Sequence, residues 1–271
     1  MFASSYGSLP KGLGVTINSK ILITGGNGQI GQKLAQVLSS NNEVGIWGHP
    51  LNDIRVRNSI IDACINFAPD YVIHTAGVKN IPDSEKNPHH YIDVNLIGTS
   101  HLIEAVKAAN VKKTVFLSTM AADYPSSVYS MTKRLGEKLF AKENRVYPGQ
   151  FISCRLGTII SRASFVGKWI EQIRKGETIL VTDLDCVRPL MSLDMGVEAI
   201  LYTFDKDELY VPRMEFYELR HIVEVLESLL QTSVKYEIIG LRPGEQLVEG
   251  KSYMRFTGPV NYLENLIREI L

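Results

Sequence analysis

Short apolar runs alternate with amphipathic stretches over the first 160 residues of the chain. The apolar runs are rich in β-branched and aromatic residues, a pattern typical of buried strands. They cover residues 20–24, 43–47, 71–77, 113–119 and 150–160. The stretches between them repeat apolar residues every three or four positions, which predicts helices. Strands that alternate with helices form parallel units with right-handed crossovers, so the pattern predicts an α/β fold with a doubly wound parallel sheet.

The longest predicted helix extends from about residue 89 to residue 110. Its inner side is formed by Ile92, Leu96, Ile103 and Val106. A second helix is predicted for residues 128–140.

Beyond Gly157 the alternation is less regular. Helices are predicted at residues 166–176, 191–204, 216–230 and 260–270, and strands at 177–183 and 208–213. We therefore expect a larger domain over residues 20–157 and a smaller lobe over residues 158–271, partly interleaved with the sheet. Residues 1–19 are rich in serine and glycine and lack a long apolar segment, so they predict a loose N-terminal arm and not a signal peptide.

The composition excludes several classes of protein. Lysine plus arginine (29) equals aspartate plus glutamate (29), so charge gives no support for a nucleic-acid or membrane partner. No apolar run approaches the ~18 residues of a membrane span. The three cysteines, Cys64, Cys154 and Cys186, are far apart and lack CxxC spacing. We therefore expect neither a disulfide framework nor a metal site, and the reducing cytoplasm as the location.

The turn after the first predicted strand contains three regularly spaced glycines. In the stretch TGGNGQIG these are Gly25, Gly28 and Gly31, and a predicted helix follows directly. Glycines at such a turn permit a tight bend, a close approach of the backbone to a pyrophosphate, and close packing of helix on strand. The positive end of the helix dipole then faces the phosphates. The sequence therefore predicts a Rossmann-type dinucleotide-binding domain over residues 20–157.

The end of the second predicted strand bears on the choice between NAD and NADP. Proteins that bind NAD usually have an acidic residue at this point, which accepts a hydrogen bond from the ribose 2′-hydroxyl. This chain has Trp47, Gly48, His49 and Pro50 there, and no carboxylate. The pattern favours NADP over NAD. Candidate partners of a 2′-phosphate are His49, Arg55 and Arg57, although surface exposure alone also explains these three residues.

A group of potentially reactive residues lies around the fourth predicted strand. Tyr129 and Lys133 are four residues apart, so a helix places them on one face. A phenol titrates near pH ~10, and an adjacent ammonium favours its phenolate. Tyr129 is then suited to accept the proton of an alcohol while hydride leaves. Ser118 or Thr119, at the end of the strand, is placed to hydrogen-bond the same oxygen.

Several motifs together resemble the extended short-chain dehydrogenases/reductases, in particular the nucleotide-sugar epimerase/dehydratase family. TGGNGQIG is similar to the family's TGxxGxxG, HTAGVK (74–79) to its HAAxxK strand end, and VNLIGT (94–99) to its asparagine-bearing helix motif. The polysaccharide-biosynthesis branch that acts on UDP-N-acetylglucosamine as a 4,6-dehydratase is the most similar. Its STDKA, YGATK and RPGEK segments correspond to STMAA, YSMTK and RPGEQ.

The resemblance implies a set of binding residues. The implied cofactor-binding residues are Gly25, Asn27, Gly28, Gln29, Ile30, Gly31, Asp53, Ile54, Thr75, Ala76, Gly77, Asn95, Tyr129 and Lys133. His49, named above as a candidate partner of a 2′-phosphate, completes the predicted cofactor site. The implied substrate-binding residues are Lys79, Met120, Arg155, Thr158, Ser161, Arg162, Arg188 and Arg242. Arginine forks suit the diphosphate of a nucleotide sugar. The resemblance also implies a substrate-binding role for the lobe of residues 158–271, and a homodimer formed through the helices that contain Asn95 and Tyr129.

One departure from the dehydratases affects the expected reaction. The family's Asp-Lys acid/base pair corresponds here to Met120 and Ala121, which cannot exchange protons. The expected activity is therefore hydride transfer at C4 of a UDP-N-acetylhexosamine, as a 4-epimerase or 4-ketoreductase. A first alternative is a variant dehydratase in which Asp123, Tyr124, Cys154 or His74 supplies the protons. A second alternative is a non-catalytic NAD(P)-binding sensor or scaffold, since the fold alone does not establish an activity.

Overall fold

The computed structural model describes residues 18–254 and 257–271. The predicted N-terminal arm lies outside these ranges except for its last two residues. The backbone N–H of Asn18 donates to the carbonyl of Asn41 (2.8 Å), and that of Ser19 donates to the side chain of Asn42 (3.1 Å). These bonds attach the start of the described chain to the turn before the second strand.

Five parallel strands form the main sheet, in the order β2-β1-β3-β4-β5. They are β1 (Lys20–Thr24), β2 (Glu43–Trp47), β3 (Tyr71–His74), β4 (Lys113–Thr119) and β5 (Phe151–Leu156). Every residue of β3 and β5 is buried, as expected for parallel strands covered on both faces. The predicted α/β class with a Rossmann-type parallel sheet is confirmed.

Helices cover both faces of this sheet. They are α1 (Gln29–Leu38), α2 (Arg57–Phe67), α3 (Ile81–Lys86), α4 (Pro88–Ile92), α5 (Gly98–Ala108) and α6 (Val128–Val146). A π-helical turn, Asp93–Ile97, joins α4 to α5, so the helix predicted for residues 89–110 is one helical stretch with a wider turn in it. Ile103 and Val106 are buried as predicted, whereas Ile92 is exposed. The wider turn rotates the residues before it relative to those after it, which accounts for the difference.

The smaller lobe has two sheets of its own. One has the order β6-β8-β9, and the other pairs β7 with β10. The strands are β6 (Thr158–Ile160), β7 (Ile179–Val181), β8 (Val187–Ser192), β9 (Glu215–Glu218) and β10 (Tyr236–Ile238). The helices are α7 (Phe165–Arg174), α8 (Leu193–Tyr202), α9 (Leu219–Leu230) and α10 (Val260–Arg268). None of the helices in the described part of the chain is both long and apolar enough to cross a membrane.

Two strand predictions differ from the structure, and one strand was not predicted. The strand predicted at 150–160 is divided at Gly157, where an added Cβ would lie only 2.7 Å from the carbonyl oxygen of Pro189. Residues 208–213 form no strand apart from one bridge between Tyr210 and Cys154, and β9 begins only at Glu215. The strand β8 was not predicted. Its hydrogen-bond partners are distant in sequence, so local pattern is a poor guide to it.

The hydrophobic core shows how the lobe and the sheet interleave. On one face of the sheet, α1 and α8 pack together, and Leu34 and Ile200 belong to one cluster with Ile23. On the other face, α2, α5 and α6 supply Ile60, Leu102 and Phe140. A helix from beyond residue 157 therefore completes the core of the first domain, and we propose the division at residues 157–158 as a functional boundary and not as a break in packing.

Candidate active site

The predicted binding residues gather at the carboxyl edge of the main sheet. The glycine turn follows β1, the loop of residues 75–79 follows β3, and Thr119 ends β4. Ligands of open α/β sheets bind at this edge, outside the carboxyl ends of the strands.

The three glycines of the turn have different surroundings. Gly25 has a φ of +70°, and a Cβ there would lie 2.5 Å from the backbone nitrogen of Ala76. A Cβ on Gly31 would lie 2.5 Å from the Cα of Gly26, so packing requires glycine at both positions. Gly28 is different, because an added Cβ would meet only the carbonyl of Gly25, at 3.3 Å. Gly28 is also the N-cap of α1, and no side chain caps that end of the helix. The turn therefore presents open backbone at a helix N-terminus, which fits a dinucleotide pyrophosphate.

Side chains next to this turn connect it to its surroundings. The Asn27 amide donates to the carbonyl of His49 (2.6 Å), which ties the turn to the end of β2. The Ser161 hydroxyl donates to the side chain of Gln29 (3.0 Å), so the turn also contacts the lobe. Ile30 is partly buried in the first turn of α1.

The residues expected at the adenosine end form ion pairs among themselves. Nε of Arg55 donates to both carboxylate oxygens of Asp53 (3.0 Å each), and this interaction lowers the pKa of Asp53 to about 2. Arg57 pairs with Glu104 (2.6 Å). Of the three candidate partners for a 2′-phosphate, both arginines therefore have carboxylate partners, and His49 has an exposed side chain. The preference for NADP stays a prediction.

Asn95, in the π-helical turn, holds the loop after β3. Its side-chain oxygen accepts from Val78 N–H (2.8 Å), and its amide donates to the carbonyl of Val78 (3.0 Å) and to Thr132 (3.2 Å). A Cβ on Gly77 would lie 3.0 Å from this asparagine and 3.2 Å from the Lys133 ammonium. Glycine at position 77 therefore leaves the space beside Lys133 open.

The remaining residues of this loop differ in exposure. The Thr75 hydroxyl donates to the carbonyl of Thr24 (2.8 Å), and Thr75 and Ala76 are partly buried. Ile54 is buried against Gly98, and Lys79 is exposed to solvent.

Thr119, Tyr129 and Lys133 form a group that we call the reactive cluster. A capping box between Ser127 and Ser130 starts α6 and so sets the position of Tyr129. The Thr119 side chain lies close enough to the Tyr129 phenol to lower its pKa. Lys133 is buried, and its ammonium donates to the carbonyl of Leu117 (2.9 Å).

Burial changes the protonation of both reactive groups. It lowers the pKa of Lys133 to about 8. It raises the pKa of Tyr129 to about 12; the hydrogen bond with Thr119 opposes this rise, and the charge of Glu249 adds to it. Burial therefore dominates the pKa of Tyr129, and the expectation that the Lys133 ammonium favours its phenolate stays a prediction.

The structure distinguishes the two hydroxyl residues at the end of β4. Successive side chains of a strand point to opposite faces. The Ser118 hydroxyl is buried and donates to Glu137 (2.6 Å). Its side chain therefore points away from that of Thr119, the next residue of β4. Thr119, and not Ser118, is therefore the member of the pair that contacts Tyr129.

Met120 lies in the core and not at an open cleft. Its side chain is 0% exposed and packs with Val187, Met214 and Phe216. A Cβ on Gly250 would lie 2.5 Å from the Met120 methyl group, so the two residues are in close contact. Ala121 is buried as well. This position does not support the predicted contact between Met120 and a substrate.

The predicted substrate-binding arginines have protein partners. Arg155 is 2% exposed, and its guanidinium donates to both oxygens of Glu137 (2.7 and 2.8 Å). It also contacts Asp123 (3.3 Å), so its partners give no support to diphosphate binding. Arg188 pairs with Glu249 (3.2 Å) and donates to two backbone carbonyls.

The other predicted substrate residues are more accessible. Arg242 pairs with Glu245 (2.6 Å) and is about half exposed, and Arg162 is exposed. Thr158 is partly buried at the start of β6, close in sequence to Ser161. Of the arginines, Arg162 and Arg242 are therefore the better placed to meet a ligand from solvent.

The four alternative proton carriers are poorly suited to that role. His74 is fully buried between Thr24 (2.6 Å) and Thr99 (3.0 Å), and burial lowers its pKa to about 3. Burial raises the pKa of the Cys154 thiol to about 12. Tyr124 is 60% exposed, and Asp123 is bound to Arg155.

A segment of the lobe covers the loop before α6. We call residues 242–252 the covering segment. The Ser126 hydroxyl donates to the carbonyl of Gly244 (2.8 Å), and the Gln246 amide donates to Ser126 (2.9 Å) and to the Tyr124 carbonyl. Ser252 N–H donates to Asp123 (3.0 Å). The RPGEQ stretch (242–246) therefore contacts the loop before α6 and is not only a surface turn.

Two carboxylates near the reactive cluster, the buried Glu137 and the partly buried Glu249, were not predicted. Glu137 follows Lys133 by four residues on α6, and Glu249 belongs to the covering segment. The spacing of Tyr129, Lys133 and Glu137 is a signal that the sequence does contain. Nothing in the local sequence around Glu249 indicates its proximity to Tyr129, because the contact depends on the docking of the lobe. Within the described ranges, no group of three or more His, Cys, Asp or Glu is arranged to hold a metal ion.

Comparison with known proteins identifies the family. Residues 45–253 match the family model described as polysaccharide biosynthesis protein. A UDP-glucose 4-epimerase from Rickettsia typhi is 29% identical over 265 residues, which cover 86% of this chain and 77% of the relative. A UDP-N-acetylglucosamine 4,6-dehydratase (inverting) from Campylobacter jejuni is 29% identical over 259 residues, covering 84% and 76%.

A solved structure shares the fold. The UDP-glucose 4-epimerase of Thermus thermophilus, in complex with NAD, matches with a TM-score of 0.80 and 21% identity, over 92% of this chain and 98% of that one. Since the family model matches most of the chain, and the relatives are nucleotide-sugar epimerases and dehydratases, the protein belongs to the polysaccharide biosynthesis family within the extended short-chain dehydrogenases/reductases.

Proposed function

We propose that the protein transfers hydride at C4 of a nucleotide sugar of the UDP-N-acetylhexosamine type, as a 4-epimerase or 4-ketoreductase. The observation that carries this proposal is the reactive cluster: a Tyr129 phenol beside Thr119, with Lys133 one helical turn away, next to an open glycine turn. The named relatives are an epimerase and a dehydratase of nucleotide sugars, which supports the substrate class.

The chain's own residues account for the proton part of the reaction. Tyr129 takes the proton from the sugar 4-hydroxyl, and Thr119 hydrogen-bonds the tyrosine oxygen or the sugar oxygen. Burial favours the neutral phenol, so Tyr129 must first release its own proton to solvent. The positive charge of Lys133 stabilises the phenolate that then accepts the proton of the sugar. NAD(P), when bound at the glycine turn, supplies the group that accepts the hydride from C4, so that the alcohol is oxidised to a ketone. Reduction at C4 is the reverse of these steps.

The surroundings of Met120 favour these reactions over elimination. Loss of water from the sugar needs a base at C5 and an acid at the C6 hydroxyl, and each such group typically contributes ~10²–10⁴-fold. Met120 is buried in the core, and the four alternative carriers are buried, exposed or ion-paired. Epimerisation and ketone reduction need only the reactive cluster and the cofactor.

One observation favours the dehydratase alternative. Glu249 is a partly buried carboxyl whose charge acts on Tyr129. Burial raises its pKa, although its ion pair with Arg188 opposes this rise. A carboxyl with a raised pKa is suited to general acid catalysis near neutral pH. If this protein eliminates water, Glu249 is the residue we expect to carry the proton.

We propose NADP in preference to NAD, because no carboxylate ends β2. Solved structures of the same fold contain NAD in one case and NADP in another.

We also propose a homodimer. Ile92, Ile97, Met131 and Leu135 are exposed on α4, the π-helical turn and α6, and burying such side chains favours association.

The decisive experiment is incubation of the purified protein with UDP-N-acetylglucosamine and either cofactor, followed by mass and stereochemical analysis of the sugar. We expect a sugar of unchanged mass from an epimerase. Loss of one water that disappears in Glu249→Gln identifies the dehydratase. The Tyr129→Phe variant should lose all hydride transfer, whereas Tyr124→Phe, an exposed tyrosine on the preceding loop, should retain it. A keto sugar substrate tests the reductase, and absence of turnover with both substrates supports a sensor or scaffold.

A further inference from the structure

Glu137 is a buried carboxylate near the reactive cluster that accepts four hydrogen bonds. Its side chain is 5% exposed. It accepts from Ser118 (2.6 Å), from two nitrogens of Arg155 (2.7 and 2.8 Å) and from Arg134 (2.9 Å). Four charge-assisted or hydroxyl donors of this kind hold the carboxylate rigidly in place.

The position of Glu137 on α6 places its charge near Lys133. Tyr129, Lys133 and Glu137 follow one another at intervals of four residues, so they lie on one face of the helix. Lys133 has no carboxylate in direct contact among the bonds described. Its ammonium donates to the Leu117 carbonyl and lies 4.8 Å from the centre of the Phe116 ring.

The other groups around Lys133 favour its neutral form or are uncharged. Burial disfavours the ammonium, and Glu137 is the group whose charge acts in the opposite direction. From β3, His74 faces Lys133 but is uncharged near neutral pH, because burial lowers its pKa to about 3. From the π-helical turn, Asn95 is uncharged, and Tyr129 is a neutral phenol at this pH. Glu137 is thus the carboxylate that counteracts the burial of Lys133.

We propose that Glu137 is a positioning residue for hydride transfer: it keeps the Lys133 ammonium charged in buried surroundings, while Arg155 and Arg134 hold Glu137 in place. This rests on the proposed function, in which Lys133 must be charged to stabilise the Tyr129 phenolate. The hydrogen bonds of Glu137 go to Ser118, Arg134 and Arg155, so we assign it a role that acts through Lys133. The two arginines also moderate its effect, since their positive charges oppose that of Lys133.

The test measures the charge of Lys133 directly and does not depend on turnover. The full chain is labelled with lysine carrying ¹³C at Cε, and the Lys133 signal, assigned by its absence in Lys133→Arg, is followed against pH by NMR. We expect Glu137→Gln to lower the midpoint of the Lys133 titration by about one pH unit, a tenfold loss in proton affinity. Glu137→Asp, which keeps the charge, should restore most of the midpoint.

A matched control lies on the same helix. Glu143 is also buried and is paired with Lys107 (2.9 Å) and Lys142 (3.0 Å), but it is ten residues from Lys133. Glu143→Gln should leave the Lys133 midpoint unchanged. An unchanged midpoint in folded Glu137→Gln overturns the proposal. If no hydride transfer is found with any substrate but the midpoint moves as expected, the electrostatic role stands and the proposed function fails.

Glu137→Gln leaves a buried arginine without its main partner, so it is liable to unfold. In that case the comparison is made between Arg155→Met and the double variant Arg155→Met, Glu137→Gln, where no unpaired buried charge remains from Arg155. The difference between the two Lys133 titration midpoints measures the effect of the Glu137 charge on Lys133 alone. A difference of about one pH unit supports the proposal, and equal midpoints reject it.

Discussion

Replacing Met120 by aspartate tests whether this position is core or cleft. The structure puts the side chain at 0% exposure, in contact with Val187, Met214 and Phe216. Full burial of a methionine side chain contributes about 1.5–3 kcal/mol, which the shorter, polar aspartate loses. The new carboxyl has no partner there and must be protonated on folding.

The cost of that protonation depends on pH. A fully buried carboxyl has its pKa raised by up to roughly 3–5 units from an unfolded value of about 3.9. At pH 7 the protonation then costs about 4 kcal/mol, since each of about three pH units contributes about 1.4 kcal/mol. Together with the lost burial, Met120→Asp should destabilise the protein by about 6 kcal/mol. For a chain of this size, that lowers the melting temperature by on the order of 10–20 °C.

Two control variants separate packing from charge. Met120→Leu keeps the volume and should cost less than about 1.5 kcal/mol. Met120→Asn has the shape of aspartate without its titration. Because the folded-state pKa of the introduced carboxyl is raised, its penalty is absent below about pH 4 and grows with pH. Urea unfolding followed by circular dichroism between pH 4.5 and 8 should show the Asp–Asn difference increasing with pH. Similar stability of the Asp variant and the wild type at pH 7 would show that position 120 faces an open polar cleft.

Three further predictions concern the cofactor site and the core. Gly28→Val should abolish NAD(P) binding in calorimetry while the protein stays folded, because a Cβ at position 28 meets only the Gly25 carbonyl. Gly31→Val should unfold the chain, because a Cβ at position 31 meets the backbone of Gly26. Unchanged NAD(P) affinity in Gly28→Val refutes the assignment of the glycine turn. NADPH should bind at least as tightly as NADH in the same assay, and a clear preference for NADH contradicts the interpretation of residues 47–50. His74 has a pKa of about 3 when folded and an ordinary value of 6.5, so stability should fall as the pH drops from about 6.5 toward 3. Urea unfolding at pH 7 and pH 5 should show that His74→Gln loses less free energy of unfolding between these two pH values than the wild type does. An equal loss in both proteins means that other groups cause the fall in stability at acidic pH.

Local patterns in the sequence predicted much of the fold and part of the site. The bounds of β1, β2 and β4 match the apolar runs. The three strands are short and continuous, and β1 and β4 are mostly buried, whereas β2 lies at the edge of the sheet and only Trp47 in it is buried. The glycine turn was predictable, because a bend between strand and helix and a close backbone approach both depend on residues within the same few positions. The face shared by Tyr129 and Lys133 follows from helix periodicity alone.

Only the tertiary structure decided what each side chain of the site touches. Arg155 and Arg188 look like free phosphate ligands in the sequence, but their partners, Glu137 and Glu249, come from other elements. Met120 became a core residue because the covering segment, about 130 positions away, packs Gly250 against it. The pKa of Tyr129 rose, and did not fall, because burial is a property of the assembled lobe and sheet. Periodicity and turn chemistry act within a few residues, whereas burial, ion pairing and dielectric surroundings arise from contacts between distant segments, and these determine the chemistry of the site.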